Sequence, residues 1–370
     1  MTVPRTPDVL VVGGGVIGCA IARELAGAGR SVVVVDRGPI GGQASSAAAG
    51  ALGVASGSDE GERLELRRAS FGAFPDLVAS LHEETGLDVG FETRGVLAFA
   101  FDERDAARLV DRVTRRRTQG LRAQWLDAAE VRALEPRAND AAVGAALFPD
   151  DAQLEAAAFT QALAASARRR GASIVPGVPV LAYERGGDRI ERVRVGGEWI
   201  HPREVIVAAG PWTPAASGVD PGVAVVPVRG QMLALRPERP VCGHVLTAGD
   251  AFLIPRRDGE VWVGATFEDA GFVCAVTGDG VRQLLGHLAR LTPEALRAPI
   301  VRAWAGLRPS VPGGGPVIGR ARDAGNVLVA TGHHRNGILL APVTARTVAA
   351  LVDGTPPPQA ARPFVPAGRA

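Results

Sequence analysis

Residues 8–20 read DVLVVGGGVIGCA. The apolar run after Asp8 predicts a buried strand. A glycine cluster follows, and then Ile17, Ile21, Ala22 and Leu25 recur at helical spacing. Gly13, Gly15 and Gly18 satisfy Gly-x-Gly-x-x-Gly. The first permits a tight turn, the second lets backbone amides approach a pyrophosphate, and the third lets helix and strand pack closely. SVVVVD at 31–36 predicts the next strand and ends on Asp36, whose carboxylate suits a ribose hydroxyl and repels a 2′-phosphate. This is a complete βαβ beginning and points to a dinucleotide. By itself it fits NAD and FAD alike.

Beyond that unit lies GPIGGQASSAAAGALGVASGSDE (38–60), too rich in small residues to pack as an ordinary element and too long to be an idle connection. Helical spacing recurs at about 60–84, 103–118, 155–170, 279–291 and 342–352. Strand-like runs occupy 95–100, 189–195, 204–208, 225–235, 251–255, 260–266 and 326–330. The runs within 225–266 are joined by short turns such as RRDGE and predict antiparallel pairing. The expected fold is α/β, with a Rossmann-like nucleotide domain (1–75, 150–220 and 300–355) interleaved with an antiparallel-sheet substrate domain (76–149 and 221–299). The Pro-, Gly- and Ala-rich tail 356–370 is expected to be disordered.

Composition narrows the function. The 370 residues are 46% hydrophobic and 22% charged with net charge +2, which allows two domains and gives no electrostatic case for nucleic acid or a membrane surface. There is no lysine, so all 41 basic residues are arginine. That excludes a Walker A loop, a Schiff-base enzyme and a Ser-Lys dyad. Cys19, Cys242 and Cys274 lie far apart, which suits a reducing compartment, and no metal site is expected. No segment reads as a membrane span, and a cytoplasmic protein is expected. The small residues Ser45–Gly50, and the turn AAGPWT at 208–213, would let backbone approach a flavin ring. An NAD enzyme needs a separate proton-transfer residue. With no lysine and the single tyrosine Tyr183, only histidine is left for that role, which favours FAD while leaving NAD open.

VVGGGVIGCAIARELA, GGQASSAAAGALG, WAGLRPSVPGGGPVIGR and ATGHHRNGILLAPVTA together resemble the FAD-dependent glycine oxidases of the D-amino-acid oxidase and sarcosine oxidase group. The resemblance runs from about residue 8 to 352. It implies that FAD contacts Gly13, Gly15, Val16, Ile17, Gly18, Asp36 and Arg37, then Ala44, Ser45, Ser46, Ala49, Gly50 and Ala51. Val180, Gly210 and the run His333, His334, Arg335, Asn336, Gly337, Ile338 and Leu339 complete the set. Pro342 is expected in the first turn of the last helix. His333 is read as packing near the flavin and His334 as a satisfied structural histidine.

In this family the arginines of GLRP and HxRNG bind the substrate carboxylate, which implies that role for Arg308 and Arg335. A guanidinium pairs bidentately with a carboxylate and stays charged when desolvated. The sequence departs from the family at Phe252, where a tyrosine is usual, and at Phe267, where methionine is usual. Both are expected to line the substrate site. Ala47 stands where relatives with covalent flavin have histidine, and GLRPSVPGG lacks their cysteine, so the FAD is expected to be non-covalent.

The expected reaction is oxidation of glycine or another small amino acid to imine, 2-oxo acid, ammonia and hydrogen peroxide. No general base is identified. Oxygen is the expected partner, with thiazole synthase implied by the family's place in thiamine biosynthesis, and a homo-oligomer is expected. A D-amino-acid dehydrogenase and a non-catalytic flavin protein are the alternatives.

Overall fold

The computed structural model describes residues 4–216 and 218–366. Its first sheet has six strands in the order Val317–Arg320, Val327–Thr331, Glu204–Val207, Val9–Val12, Val32–Val35, Ser173–Val175. All neighbours run parallel except the first pair. The strand Val9–Val12 lies between two parallel neighbours and is buried throughout, as an uninterrupted apolar run requires. Alternation sends its side chains to two cores. Val9 and Val11 pack with the helices Val16–Gly27, Ala156–Arg169 and Gly337–Asp353. Leu10 and Val12 pack against a three-stranded sheet formed from Val180–Gly186, Arg189–Val195 and Glu198–Ile200.

The second sheet has eight strands: Ile300–Ser310, Val226–Leu235, Val261–Gly264, Ala251–Pro255, Val245–Ala248, Val96–Ala100, Gly144–Phe148, Gln124–Asp127. Its pairs are antiparallel with one exception. Val245–Ala248 and Val96–Ala100 run parallel, where the two inserted stretches of chain meet. The expected antiparallel pairing within 225–266 is present. Among the described residues no helix is long and apolar enough to cross a membrane.

Several boundaries differ from the sequence reading. Residues 300–310 belong to the eight-stranded sheet rather than to the nucleotide domain, because they pair along their length with Val226–Leu235. The single helix expected at 60–84 is two, Gly61–Phe71 and Phe74–Thr85. Pro75 has no amide hydrogen to continue the first helix, and instead sits in the opening turn of the second. The last helix begins at Gly337, so Pro342 lies inside it rather than in its first turn. The buried Ser70 side chain stands at that break: its hydroxyl donates to Leu339 O at 2.7 Å and accepts from Val343 N at 3.3 Å. Finally, 359–364 form a 3-10 turn with Ala361 buried beside Leu66, Leu340 and Val343, which gives this part of the tail an apolar anchor. Residues 367–370 lie outside the described residues.

Candidate active site

The strand Val9–Val12 leads into Gly13 at φ 113°, where a side chain would meet Ala208 O at 2.4 Å. A Cβ on Gly18 would stand 1.9 Å from Gly13 O, so strand end and helix touch as the spacing predicts. Gly14 N–H donates to Asp36 Oδ2 at 2.7 Å, and Gly38 N–H to Oδ1 at 2.8 Å. Asp36 is thus fixed beside the turn by one bond to each oxygen, with acceptor capacity left on both. Val16 N–H donates to Ser45 Oγ at 2.9 Å, which ties the helix N-terminus to the small-residue loop.

These groups open onto a cavity of ≈ 1120 Å³ that reaches the second sheet. Gly13, Gly15, Val16, Ile17, Asp36 and Arg37 line one part. Ala44, Ser45, Ala49, Gly50, Ala51, Val180 and Gly210 follow. Phe252, Phe267, Arg308, His333, His334, Arg335, Asn336, Gly337 and Ile338 line the remainder. Three expected contacts lie outside it. Gly18 is consumed by the helix-strand approach. The Ser46 hydroxyl turns back onto Gly41 O at 2.7 Å, and Leu339 is buried in the core.

Arg308 is a partly buried cation whose hydrogen-bond partners in the protein are neutral oxygens. Its Nη1 donates to Thr266 O at 3.1 Å and Arg229 O at 3.5 Å, and its guanidinium lies 4.5 Å from the Phe267 ring centre. Burial, and then repulsion from Arg335, pull its pKa down to about 10, which leaves it protonated at neutral pH. Arg335 extends into the same cavity from the turn His334–Asn336, and among the described residues neither arginine is ion-paired. Gly230 makes room for Arg308: a Cβ there would stand 2.2 Å from Nη2. The Phe252 ring lies against Gly264, and the residue lines the cavity.

His333 lines the cavity as expected, and it is His334 that departs from its reading as a satisfied structural histidine. His333 is the buried one, with Nε2 2.9 Å from Thr344 Oγ1, and burial pushes its pKa down to about 3. His334 faces the cavity, 6.1 Å from the Phe267 ring centre. Adjacent residues diverge at this turn because His334 has φ 49°.

Several supporting residues escaped the sequence reading. Asp151 is buried and accepts from the backbone N–H groups of Val54, Ala55 and Ser56 at 2.8–2.9 Å. Arg116, fully buried, donates to the carbonyls of Ala55, Gly57 and Asp59. Together they pin the loop that walls the cavity at Ser56–Ser58. Trp304 Nε1 donates to Ala47 O at 3.1 Å, coupling the strand that carries Arg308 to the small-residue loop. Trp304 falls within the WAGLRP motif, whereas nothing local in the sequence marks Asp151 or Arg116.

A glycine turn with an acid at the next strand end, opening into a cavity that also holds two guanidiniums with no ion-pair partner among the described residues, defines a dinucleotide-dependent enzyme of the α/β class. Residues 8–351 match the family described as DAO, FAD dependent oxidoreductase, and the chain belongs to that family. It is 34% identical to a glycine oxidase of Bacillus licheniformis, covering 94% of each chain. It is 33% identical to a bifunctional protein ThiO/ThiG of Trichormus variabilis, covering 93% of this chain and 52% of that one. The crystal structure of glycine oxidase from Geobacillus kaustophilus superposes with a TM-score of 0.93 at 33% identity, covering 99% of this chain and 100% of that one.

Proposed function

We propose that the protein is an FAD-dependent oxidase of glycine or a similarly small amino acid. The observation that carries this reading is Arg308: desolvated, protonated, unpaired and aimed with Arg335 into the cavity that begins at the nucleotide turn. FAD fits this chain's residues. The close backbone approach at Gly13 suits a pyrophosphate, Asp36 keeps free acceptor capacity, and the loop Ala44–Ala51 presents small side chains along the cavity.

When bound, FAD supplies the hydride acceptor, and its reoxidation by oxygen yields hydrogen peroxide. The chain's part is positioning. Arg308 and Arg335 hold the substrate carboxylate, which fixes the α-carbon, and Phe252 and Phe267 bound the space left for a side chain. The imine then hydrolyses to a 2-oxo acid and ammonia. FAD is held without a covalent bond, consistent with Ala47 in the loop and no cysteine near Arg308. Thiazole formation is the proposed use of the imine, with a thiazole synthase as partner; the fused ThiO/ThiG relative supports that place.

Turnover of glycine in air tests the reading. One peroxide and one ammonia should form per glycine consumed. Consumption that needs an added dye acceptor and yields no peroxide would make it a dehydrogenase.

A further inference from the structure

His334 is held in a backbone conformation that histidine does not favour. Among the described residues it is the only non-glycine with positive φ, at 49°. Such a residue persists where its surroundings enforce it, and these cases cluster at functional sites. Here Gly332 turns the chain at φ 77°, and Asn336 N–H closes onto His333 O at 2.9 Å. The result places the His334 ring in the cavity with Phe267, Arg308 and Arg335. Among the described residues nothing hydrogen-bonds either ring nitrogen, whereas the neighbouring His333 is committed to Thr344.

Resting on the carboxylate clamp proposed above, we infer that His334 is the proton acceptor for the substrate's amino group. An ammonium N–H of the bound zwitterion passes its proton to a ring nitrogen of neutral His334. The electron pair of that bond becomes the amine lone pair, and the imidazole becomes imidazolium. That lone pair later forms the second bond of the C=N product as hydride leaves the α-carbon. The half-buried imidazolium returns its proton to solvent.

The surroundings leave little else for the task. Arg308 and Arg335 have no acceptor. Glu268 is engaged by Arg229, Gln231 and Thr266. Of the carboxylates that line the cavity, Asp36 is held by Gly14 and Gly38, Asp102 by Asp105 N–H and Asp105 by Arg108, and Asp250 lies on the turn before Ala251–Pro255. Arg67, which also faces Arg335, is paired with Asp59. Tyr183, which does not line the cavity, is spent on Ala216 O. Burial, and then Arg308 and Arg335, pull the His334 pKa down to about 4, so the ring is neutral before substrate arrives. A bound carboxylate offsets one of the two guanidinium charges and so makes the imidazolium easier to form when it is needed.

The test is anaerobic rapid mixing of glycine with wild type and His334→Phe across pH, following flavin reduction. Acetate affinity is measured in parallel from the flavin spectrum. Phenylalanine keeps the ring packing against Phe267 and removes both nitrogens. At neutral pH reduction should slow on the order of a hundredfold. The deficit should narrow as pH rises and glycine arrives already deprotonated, while acetate binds as before. An unchanged rate and pH profile overturns the inference, as does acetate affinity falling in step with the rate. If His334→Phe does not hold FAD, His334→Asn carries the same test, since asparagine accepts the left-handed backbone and cannot take the proton. A wild type reduced by none of glycine, sarcosine and D-alanine overturns the amino-acid reading together with this one. A reducible wild type with an unaffected variant overturns this inference alone.

Discussion

Replacing Arg308 with leucine removes the partly buried guanidinium and keeps an apolar side chain in its place. The protein partners of Arg308 are the carbonyl oxygens of Thr266 and Arg229, at 3.1 and 3.5 Å, so no carboxylate of the fold is stranded by the change. The loss falls on the substrate. Truncating one partner of a buried charged pair costs about 2–5 kcal/mol. Arg335 stays in the cavity and holds part of the carboxylate, which selects the lower end. At about 1.4 kcal/mol per tenfold, kcat/KM for glycine should fall at least about thirtyfold. Steady-state kinetics with peroxide detection measures it, and the flavin-to-protein absorbance ratio should hardly change. A small amine without a carboxylate should lose far less. Unchanged kcat/KM for glycine, or loss of FAD in step with activity, would refute the reasoning.

Gly230→Ala should act on the same guanidinium without deleting it. The new Cβ would stand 2.2–2.4 Å from Nη2, Cζ and Nη1 of Arg308, so the side chain must move; KM for glycine should rise with FAD retained, and an unchanged KM would show that Arg308 does not hold the substrate. Asp36→Ala should weaken FAD binding about ten- to a hundredfold, since one charge-assisted bond is worth about 1.5–3 kcal/mol. Turnover at saturating FAD should stay near normal, which flavin titration and kinetics check together. Ser70→Ala should lower stability by about 1–3 kcal/mol, because Leu339 O and Val343 N lose their buried partner beside Pro342; denaturant unfolding reads it.

The nucleotide turn was legible because its demands are local. Backbone approach at Gly13 and Gly18, an acid at the strand end and an apolar strand all lie within 8–36. The arginine pair was legible through motif resemblance, since its physical distinction, two guanidiniums in one cavity without a carboxylate partner, is a tertiary fact. Elements that depend on distant partners were misread. The stretch 300–310 reads as part of the nucleotide domain until Val226–Leu235 lies beside it, and Pro342 reads as a helix start until Ser70 is seen at the break. That His334 faces the cavity without a protein partner turns on one left-handed residue, and no neighbour in the sequence signals that. Asp151 and Arg116 act on a loop about 60–100 residues away along the chain, which no spacing rule reaches.

The central claim is that a small amino acid, held by its carboxylate at Arg308 and Arg335, reduces a bound flavin. Its most direct test is the visible spectrum of the yellow protein, recorded anaerobically before and after adding glycine. The oxidised flavin bands should bleach within the mixing experiment and return when air is admitted. Bands that stay unchanged with glycine, sarcosine and D-alanine alike would contradict the account.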